Sequence, residues 1–126
     1  MRTVHTSDAP DPGGHYAQGQ IHGSTLYVSG QLPVEPGTGE KLAGGIEAQT
    51  RRVLANVLAV VRAAGGDLTS IVKTTVYVSD IALWNTVDSV YAEFFGEHKP
   101  ARAVVPTKEL HFGFQIEMEA VAELEE

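Results

Sequence analysis

Cysteine is absent from this 126-residue chain, and its absence excludes several kinds of chemistry at once. Without a thiol there is no disulfide framework, no thiolate metal site and no cysteine nucleophile. Long apolar runs are also missing, and the sequence shows no basic-then-apolar secretion signal. We therefore expect a cytoplasmic protein that folds as a single domain over residues 1–126, around an ordinary hydrophobic core.

Basic residues are also scarce. Lys and Arg number 9 against 16 Asp and Glu, which gives a formal net charge of −7. The basic residues are scattered along the chain, and Arg51-Arg52 is their only adjacent pair. Proteins that bind nucleic acids usually carry a concentrated basic surface that displaces counterions from phosphates. The composition therefore argues against RNA or DNA as the main partner.

The spacing of apolar residues predicts a layered α+β fold. An irregular arm over residues 1–14 precedes a hairpin, whose two extended stretches flank the turn formers Gly23-Ser24. Two apolar stripes then recur at helical spacing, and β-branched runs predict further strands. The predicted order is β-β-α-β-α-β-β, with a hairpin at 15–32, strands at 70–79, 101–106 and 114–124, and helices from Gly45 to Ala64 and from Asp80 to Gly96.

The two predicted helices can cover only one face of the sheet, so its other face needs an explanation. The alternation of side chains along a strand assigns the small and apolar residues of 101–106 to the face beneath the helices. The same alternation assigns Arg102 and Glu117 together to the opposite face. That face is too apolar for plain solvent and too polar for a core. We therefore expect it to form an interface between subunits that encloses a polar pocket.

Arg102 needs a partner, because it interrupts the strand-like run PARAVVP at 100–106. A guanidinium that is buried without a partner loses its hydrogen bonds to water and gains nothing in return. The residues alone allow two kinds of partner. One is a carboxylate of the chain itself, Glu117 or Glu119, and the other is an anionic ligand.

Several separate motifs run along nearly the whole chain. They are YAQG, LYVSGQLPVEPGTGE, QTRRVLANVLAVVRAAGGDL, IVKTTVYVSD, VYAEFF, PARAVV and IEMEAVA. In this order and spacing they resemble the Rid family, the YjgF-like reactive intermediate (imine/enamine) deaminases that are also labelled L-PSP endoribonucleases. The resemblance implies a chorismate-mutase-like fold, with two helices on one face of a mixed sheet. It also implies a homotrimer whose sheets form a central barrel, with a site in each cleft between subunits.

The resemblance further implies roles for individual residues. Arg102 matches the arginine of the family's PAR motif, which pairs with the substrate carboxylate. Glu117 matches the glutamate of the final IE-x-E strand, which is thought to position the attacking water, and backbone groups near Val104 would complete that contact. Tyr16 matches the tyrosine that follows the family's Gly-Pro, and Ser29 matches the serine of its SGQ motif. The expected catalytic residues are Arg102, Glu117 and Tyr16.

The chain departs from the family pattern at several of these positions. Asp88 replaces a usual asparagine, Val104 a common cysteine, and His111 and His15 replace prolines. Asp88, Val104 and His111 belong with Arg102, Tyr16 and Ser29 in the expected substrate-binding set. An added carboxylate at Asp88 would disfavour imines of acidic amino acids through like-charge repulsion.

The implied reaction is hydrolysis of a small 2-imino acid, such as 2-iminopropionate derived from 2-aminoacrylate, to a 2-oxo acid and ammonia. Arg102 suits a planar carboxylate because its fork can donate two parallel charge-assisted hydrogen bonds. Glu117 can hold the water that attacks the C=N carbon. We expect neither a cofactor nor a metal, since the imine is already reactive and His15, His111 and Glu117 lack a tight metal-ligand spacing.

Two other functions stay open at this point. One is a non-catalytic small-molecule-binding or chaperone-like trimer. The other is the endoribonuclease or translation-inhibitor role of the family's older label. The acidic charge and the lack of a His-plus-Lys cluster argue against a ribonuclease. The presence of both Arg102 and Glu117 favours imine deamination over binding alone.

Overall fold

The computed structural model describes residues 1–42 and 44–125, and it confirms the α+β architecture. Within these residues the chain forms a six-stranded mixed sheet with two α-helices on one face. The strands are β1 (Arg2–Val4), β2 (Gly19–His22), β3 (Thr25–Gln31), β4 (Ile71–Val78), β5 (Ala101–Pro106) and β6 (Ile116–Glu123), and the helices are α1 (Ile46–Ala63) and α2 (Trp84–Phe95). The strand order across the sheet is β1-β2-β3-β6-β4-β5. Neighbouring strands are antiparallel except for β4 and β5, which are parallel.

The core lies between the helices and the sheet, as the apolar stripes predicted. Helix α1 buries Val53, Leu54 and Val57, and helix α2 buries Val87 and Val90. Apolar side chains of β3, β4 and β6 meet them from below. These residues are Leu26, Val28, Val76, Val78, Ile116 and Met118. In the described part of the chain, neither helix is long and apolar enough to cross a membrane.

The prediction of an irregular arm over residues 1–14 is wrong at its start. Arg2–Val4 pairs with β2 as an outer strand, so the observed order gains a strand at the N-terminus. Buried Gln18 fixes the segment that follows: its Nε2 donates to the carbonyls of Thr6 at 3.0 Å and Pro10 at 2.9 Å, and its Oε1 accepts from the Thr6 N–H at 2.7 Å. Three residues are too few for a visible alternation, and the pairing depends on the partner strand.

Strand β5 faces the opposite way from the prediction. Its register on β4 pairs Arg102 with buried Thr74, which places the Arg102 side chain on the helix side of the sheet. Val104 lies on the same side and packs against the core. The predicted helix-facing residues lie instead on the open face: Ala101, Ala103 and Val105. The faces of β5 were assigned from the size of its residues. That assignment failed because β5 is an edge strand, and the residues on its open face are also small and apolar.

A β-bulge also breaks the predicted alternation at the start of β4. Ile71 pairs with Ala122, but Lys73 pairs with Val121, so Val72 is an extra residue on this strand. As a result Ile71 is buried and Val72 is exposed, whereas uninterrupted alternation from Thr74, Val76 and Val78 would assign Val72 to the helix side. Beyond the bulge the alternation is regular, with Thr74, Val76 and Val78 facing the helices.

Helix α1 is tied to the loop after β3 through Asn56. Its Nδ2 donates to the carbonyls of Leu32 at 3.1 Å and Val34 at 2.9 Å, and its Oδ1 accepts from Arg52 Nε at 3.1 Å. Asn56 is fully buried.

We predict that Asn56→Ala lowers the free energy of unfolding by about 1–3 kcal/mol, because two carbonyls lose their donor away from water. Chemical denaturation measures this change.

The matched control is Asn85→Ala in α2, where the side chain is exposed. That change should stay within about 0.5 kcal/mol of the unmodified protein. Equal effects of the two substitutions would show that the Asn56 side chain does not anchor the loop.

Candidate functional site

The structure divides the predicted site residues into two groups on different sides of the sheet. Arg102, Asp88 and Val104 lie on the helix side, at the edge formed by β5 and α2. Glu117 lies on the open face of β6, across from Tyr77. The prediction that Arg102 and Glu117 share a face is therefore wrong for a single chain. The parallel register of β5 on β4 is the physical reason.

Arg102 has an internal partner that was not among the predicted ones. Its Nη1 donates to Asp88 Oδ1 at 2.9 Å, so neither Glu117 nor Glu119 pairs with it. The guanidinium carbon also lies 4.7 Å from the centre of the Tyr91 ring and 5.6 Å from that of Trp84. Stacking and the ion pair together hold the planar group in place. Its other N–H groups make no hydrogen bond within residues 1–42 and 44–125 and can donate to a ligand.

A groove runs beside this arginine along the end of α2. Its walls include Tyr91, Phe95, His98 and Lys99, together with the Arg102–Asp88 pair. Burial raises the pKa of the Tyr91 hydroxyl, against the opposing effects of its hydrogen bond with Thr74 and of the Arg102 charge. Thr74 Oγ1 and Tyr91 Oη lie 2.7 Å apart in the core. The stacking ring is therefore neutral and fixed, which suits a platform for a planar cation.

Glu117 is a partly buried carboxylate on the other side of the sheet. Burial raises its pKa above the ordinary value, neighbouring Glu119 raises it further, and His111 opposes both. The carboxylate lies against Gly30, where any Cβ atom would overlap one of its oxygens. Glycine at this position is therefore required for the close approach of the carboxylate to the backbone.

A β-bulge in β3 creates this approach. Val28 pairs with Ala120 and Gln31 with Met118, so Ser29 and Gly30 together stand opposite one residue of β6. Bulges of this kind reorient side chains and are frequent beside functional sites. Gly30 was not among the predicted site residues, although it is the glycine of the SGQ motif from which Ser29 was taken. The SGQ motif marks this position in the sequence, but the contact between Gly30 and Glu117 becomes apparent only when the bulge is known.

Ser29 and Tyr16 lie near this bulge, and both hydrogen-bond within the chain. The Ser29 hydroxyl donates to the Ala17 carbonyl at 2.6 Å. Tyr16 Oη accepts from the Gly13 N–H at 3.1 Å, while its ring is half exposed. Tyr16 and Gly30 line one cavity, which we call the Gly30 cavity, of about 220 Å³. Other walls come from Leu32, Val34, Lys41 and Phe112.

The histidines near this region do not form a metal centre with it. Across the described residues, no three His, Asp or Glu side chains converge as metal ligands. His111 instead contributes to the electrostatics of Glu117, since its charge would favour the ionised carboxylate. Its neighbour Phe112 is an exposed aromatic residue with a left-handed backbone.

The residues around Arg102 and those around Glu117 have complementary chemical properties. The Arg102 side supplies an anchored cation with free N–H donors. The Glu117 side supplies a carboxylate that can hold and deprotonate water, next to a cavity. In one chain, however, they lie on opposite sides of the sheet.

Comparison with known proteins gives consistent matches over the whole fold. Residues 6–124 match the family model described as Endoribonuclease L-PSP. A RutC family protein of Pyrococcus horikoshii is 44% identical over 119 residues, which cover 94% of each chain. The 2-iminobutanoate/2-iminopropanoate deaminase of Salmonella typhimurium is 44% identical over 124 residues, which cover 96% of each chain. The human protein of the same name is 39% identical over 121 residues, 96% of this chain and 88% of the relative.

Solved structures agree with the sequence matches. The YjgF gene product from E. coli superposes with a TM-score of 0.92 at 44% identity, over 98% of each chain. E. coli TdcF with bound serine superposes with a TM-score of 0.94 at 38% identity, over 99% of this chain and 100% of TdcF. The match spans nearly the full length in sequence and in structure, and it confirms the resemblance drawn from the motifs. This chain belongs to the endoribonuclease L-PSP family, also known as the YjgF/RutC family.

Proposed function

We propose that this protein hydrolyses 2-imino acids to 2-oxo acids and ammonia, at a site completed by two copies of the chain. The observation that carries the proposal is the placement of Arg102 and Glu117. Both side chains are partly buried, and each keeps polar atoms that can bind a ligand or water. They nevertheless lie on opposite faces of one sheet. Relatives named 2-iminobutanoate/2-iminopropanoate deaminase over nearly this whole length support the reaction class.

Arg102 would bind the substrate carboxylate through the N–H groups that Asp88 leaves free. The ion pair and the stacked rings fix the guanidinium before the substrate arrives, so that little side-chain freedom is lost on binding. Asp88 also reduces the local positive charge. A second carboxylate on the substrate would therefore meet repulsion, which favours imines with one carboxylate over those of aspartate or glutamate.

Glu117 of a second copy would hold the attacking water. The carboxylate accepts a proton as the water oxygen bonds to the C=N carbon, and the C=N pair of electrons moves to nitrogen. Return of that proton to nitrogen gives a carbinolamine. Transfer of its hydroxyl proton to nitrogen, with formation of the C=O bond and cleavage of the C–N bond, releases ammonia and leaves the 2-oxo acid. Binding both reactants in this geometry supplies most of the acceleration, because the uncatalysed reaction already proceeds in water.

The residues of the open face support assembly of copies through it. That face carries exposed Tyr27 and Val105 next to Ala103 and the partly exposed Val121. An apolar face on a sheet whose other side is fully packed suits contact with another sheet. A homotrimer with its sheets turned inward would bring the β5 edge of one copy near the Glu117 face of the next.

Arg102→Ala should lower kcat/KM for imine hydrolysis by about ten- to a hundredfold, because a charge-assisted contact with the substrate is lost. Arg102→Lys should also be poor, since it keeps the charge but loses the planar fork. The assay generates the imine in situ with an amino-acid oxidase and follows 2-oxo acid formation above the spontaneous rate.

Arg51→Ala is the matched control, because Arg51 forms exposed ion pairs with Glu47 and Glu93 and does not line the groove beside Arg102. It should keep full activity. Light scattering should report a trimer for the unmodified protein and for the Arg102 variants. Full activity of Arg102→Ala would remove Arg102 from the mechanism, and a monomeric unmodified protein would exclude a shared site.

Glu117→Gln should lower kcat by at least about a hundredfold, yet raise the melting temperature at neutral pH. The fold raises the pKa of Glu117, so folding disfavours its ionised form. That cost is absent below the pKa of an unfolded glutamate, about 4.3, and complete above the folded pKa. The thermal advantage of the variant should therefore be small near pH 4 and grow as the pH rises.

Ionisation of Glu117 should also control activity. As the pH rises it should increase activity, whereas it lowers stability. Only the ionised carboxylate can accept a proton, so activity should fall on the acid side at a pH above that of an ordinary glutamate. A Gln variant that is both inactive and less stable at neutral pH would indicate a structural carboxylate instead. A Gln variant with full activity would exclude Glu117 from water activation.

A further inference from the structure

Phe112 has a backbone conformation that packing does not explain. Its φ is 58° and its ψ is 20°, the left-handed region that bulky residues rarely adopt. In the described residues it is the one non-glycine position with positive φ. Its side chain is nevertheless 66% exposed, so no buried contact compensates the strain. Residues held in such conformations concentrate at ligand sites, where the strain orients a side chain.

Two contacts hold the Phe112 ring at the Gly30 cavity. Lys41 Nζ lies 4.4 Å from the ring centre, within the range of a cation–π interaction. Phe114 meets the ring edge to face at 5.9 Å between centres. The ring is therefore held as one wall of the cavity that Gly30 also lines.

The cavity is mostly apolar and lies beside the reacting carboxylate. Phe112, Leu32, Val34 and the Tyr16 ring provide its apolar walls, and Gly30 separates it from Glu117. Its charged residues are of both signs, Lys41 over the Phe112 ring and Asp11. The lining therefore offers no net charge to attract an anionic or a cationic side chain, but it offers apolar surface to a hydrocarbon one.

The geometry of an imine assigns this cavity to one part of the substrate. The planar C=N carbon carries the carboxylate, the nitrogen and the side chain in three different directions. With the carboxylate on Arg102 of one copy and water on Glu117 of another, the nitrogen and the side chain would both project away from Arg102. Of these two, the hydrocarbon side chain suits the apolar lining of the Gly30 cavity, which adjoins Glu117 through Gly30.

We propose that Phe112, with Leu32 and Val34, forms an apolar subsite for the substrate side chain. The protein then prefers imines of branched apolar amino acids, such as leucine, over that of alanine. This inference rests on the proposed imine hydrolysis and specifies the substrate class at the same site.

Steady-state kinetics with imines of leucine and alanine test the preference. An additional apolar group in a fitted pocket raises kcat/KM by about tenfold or more, so leucine should exceed alanine by at least that factor. Phe112→Asn should reduce this ratio by about tenfold. Asparagine tolerates the left-handed region, so the variant should melt at the same temperature or higher while losing the apolar wall. Phe112→Leu is the matched control, because it keeps an apolar wall and should retain most of the preference.

A leucine-to-alanine ratio near one in the unmodified protein, or an unchanged ratio in Phe112→Asn, would overturn the subsite. Preference for the glutamate-derived imine would overturn it as well, since it would assign the cavity to an anionic side chain. If no imine is hydrolysed, the proposed function fails, and calorimetric binding of 2-oxo acids tests the subsite alone. Tighter binding of 4-methyl-2-oxopentanoate than of pyruvate, lost in Phe112→Asn, supports the subsite, and equal binding contradicts it.

Discussion

Parallel pairing of β5 with β4 determines where the chemistry of this protein can occur. The register that sets Arg102 beside Thr74 turns its guanidinium towards α2, where Asp88, Tyr91 and Trp84 hold it. A shift of one residue would turn it to the open face, the side of the sheet on which Glu117 lies. The register places the two groups on opposite sides of the sheet, so one chain alone cannot bring them together for the proposed reaction. Assembly of copies is then a requirement of the proposed reaction.

The Glu117 carboxylate occupies a position whose burial disfavours its ionised form, which suits the proton transfer proposed for it. A bulge and a glycine bring the carboxylate against the backbone of β3, where burial and Glu119 disfavour its charge. A structural role would favour a neutral residue at this position. A raised pKa in a carboxylate beside a cavity is instead typical of a group that transfers protons. The left-handed Phe112 at the same cavity is a second local cost with a functional explanation.

The sequence predicted the elements well, because their signals are local. The helical stripes, the hairpin turn at Gly23-Ser24 and the strand at 101–106 agree with the structure within a few residues. The three-residue β1 and the bulge at Val72 were missed, since both depend on pairing with a partner strand. The family resemblance named the candidate residues, and their catalytic and binding roles stay predictions.

The arrangement of the site could not be predicted from the residues alone. Alternation along β5 left two possible orientations, and the small residues of that strand favoured the wrong one. The ion pair of Arg102 with Asp88 joins a strand to a helix, and the contact of Glu117 with Gly30 depends on a bulge. Neither contact has a signature in the spacing of the sequence. Phe112 offered no signal either, since an exposed phenylalanine is unremarkable until its backbone angles are known.

Mixed assemblies test the shared site most directly. Arg102→Ala and Glu117→Gln chains, each expected to have strongly reduced activity alone, are unfolded together, refolded as a 1:1 mixture and assayed for imine hydrolysis. If each site takes Arg102 from one copy and Glu117 from its neighbour, about a quarter of the sites contain both native residues, and about a quarter of the native activity returns. If both residues act within one chain, every site contains one substitution. The mixture would then stay as inactive as its components, and the account would be wrong.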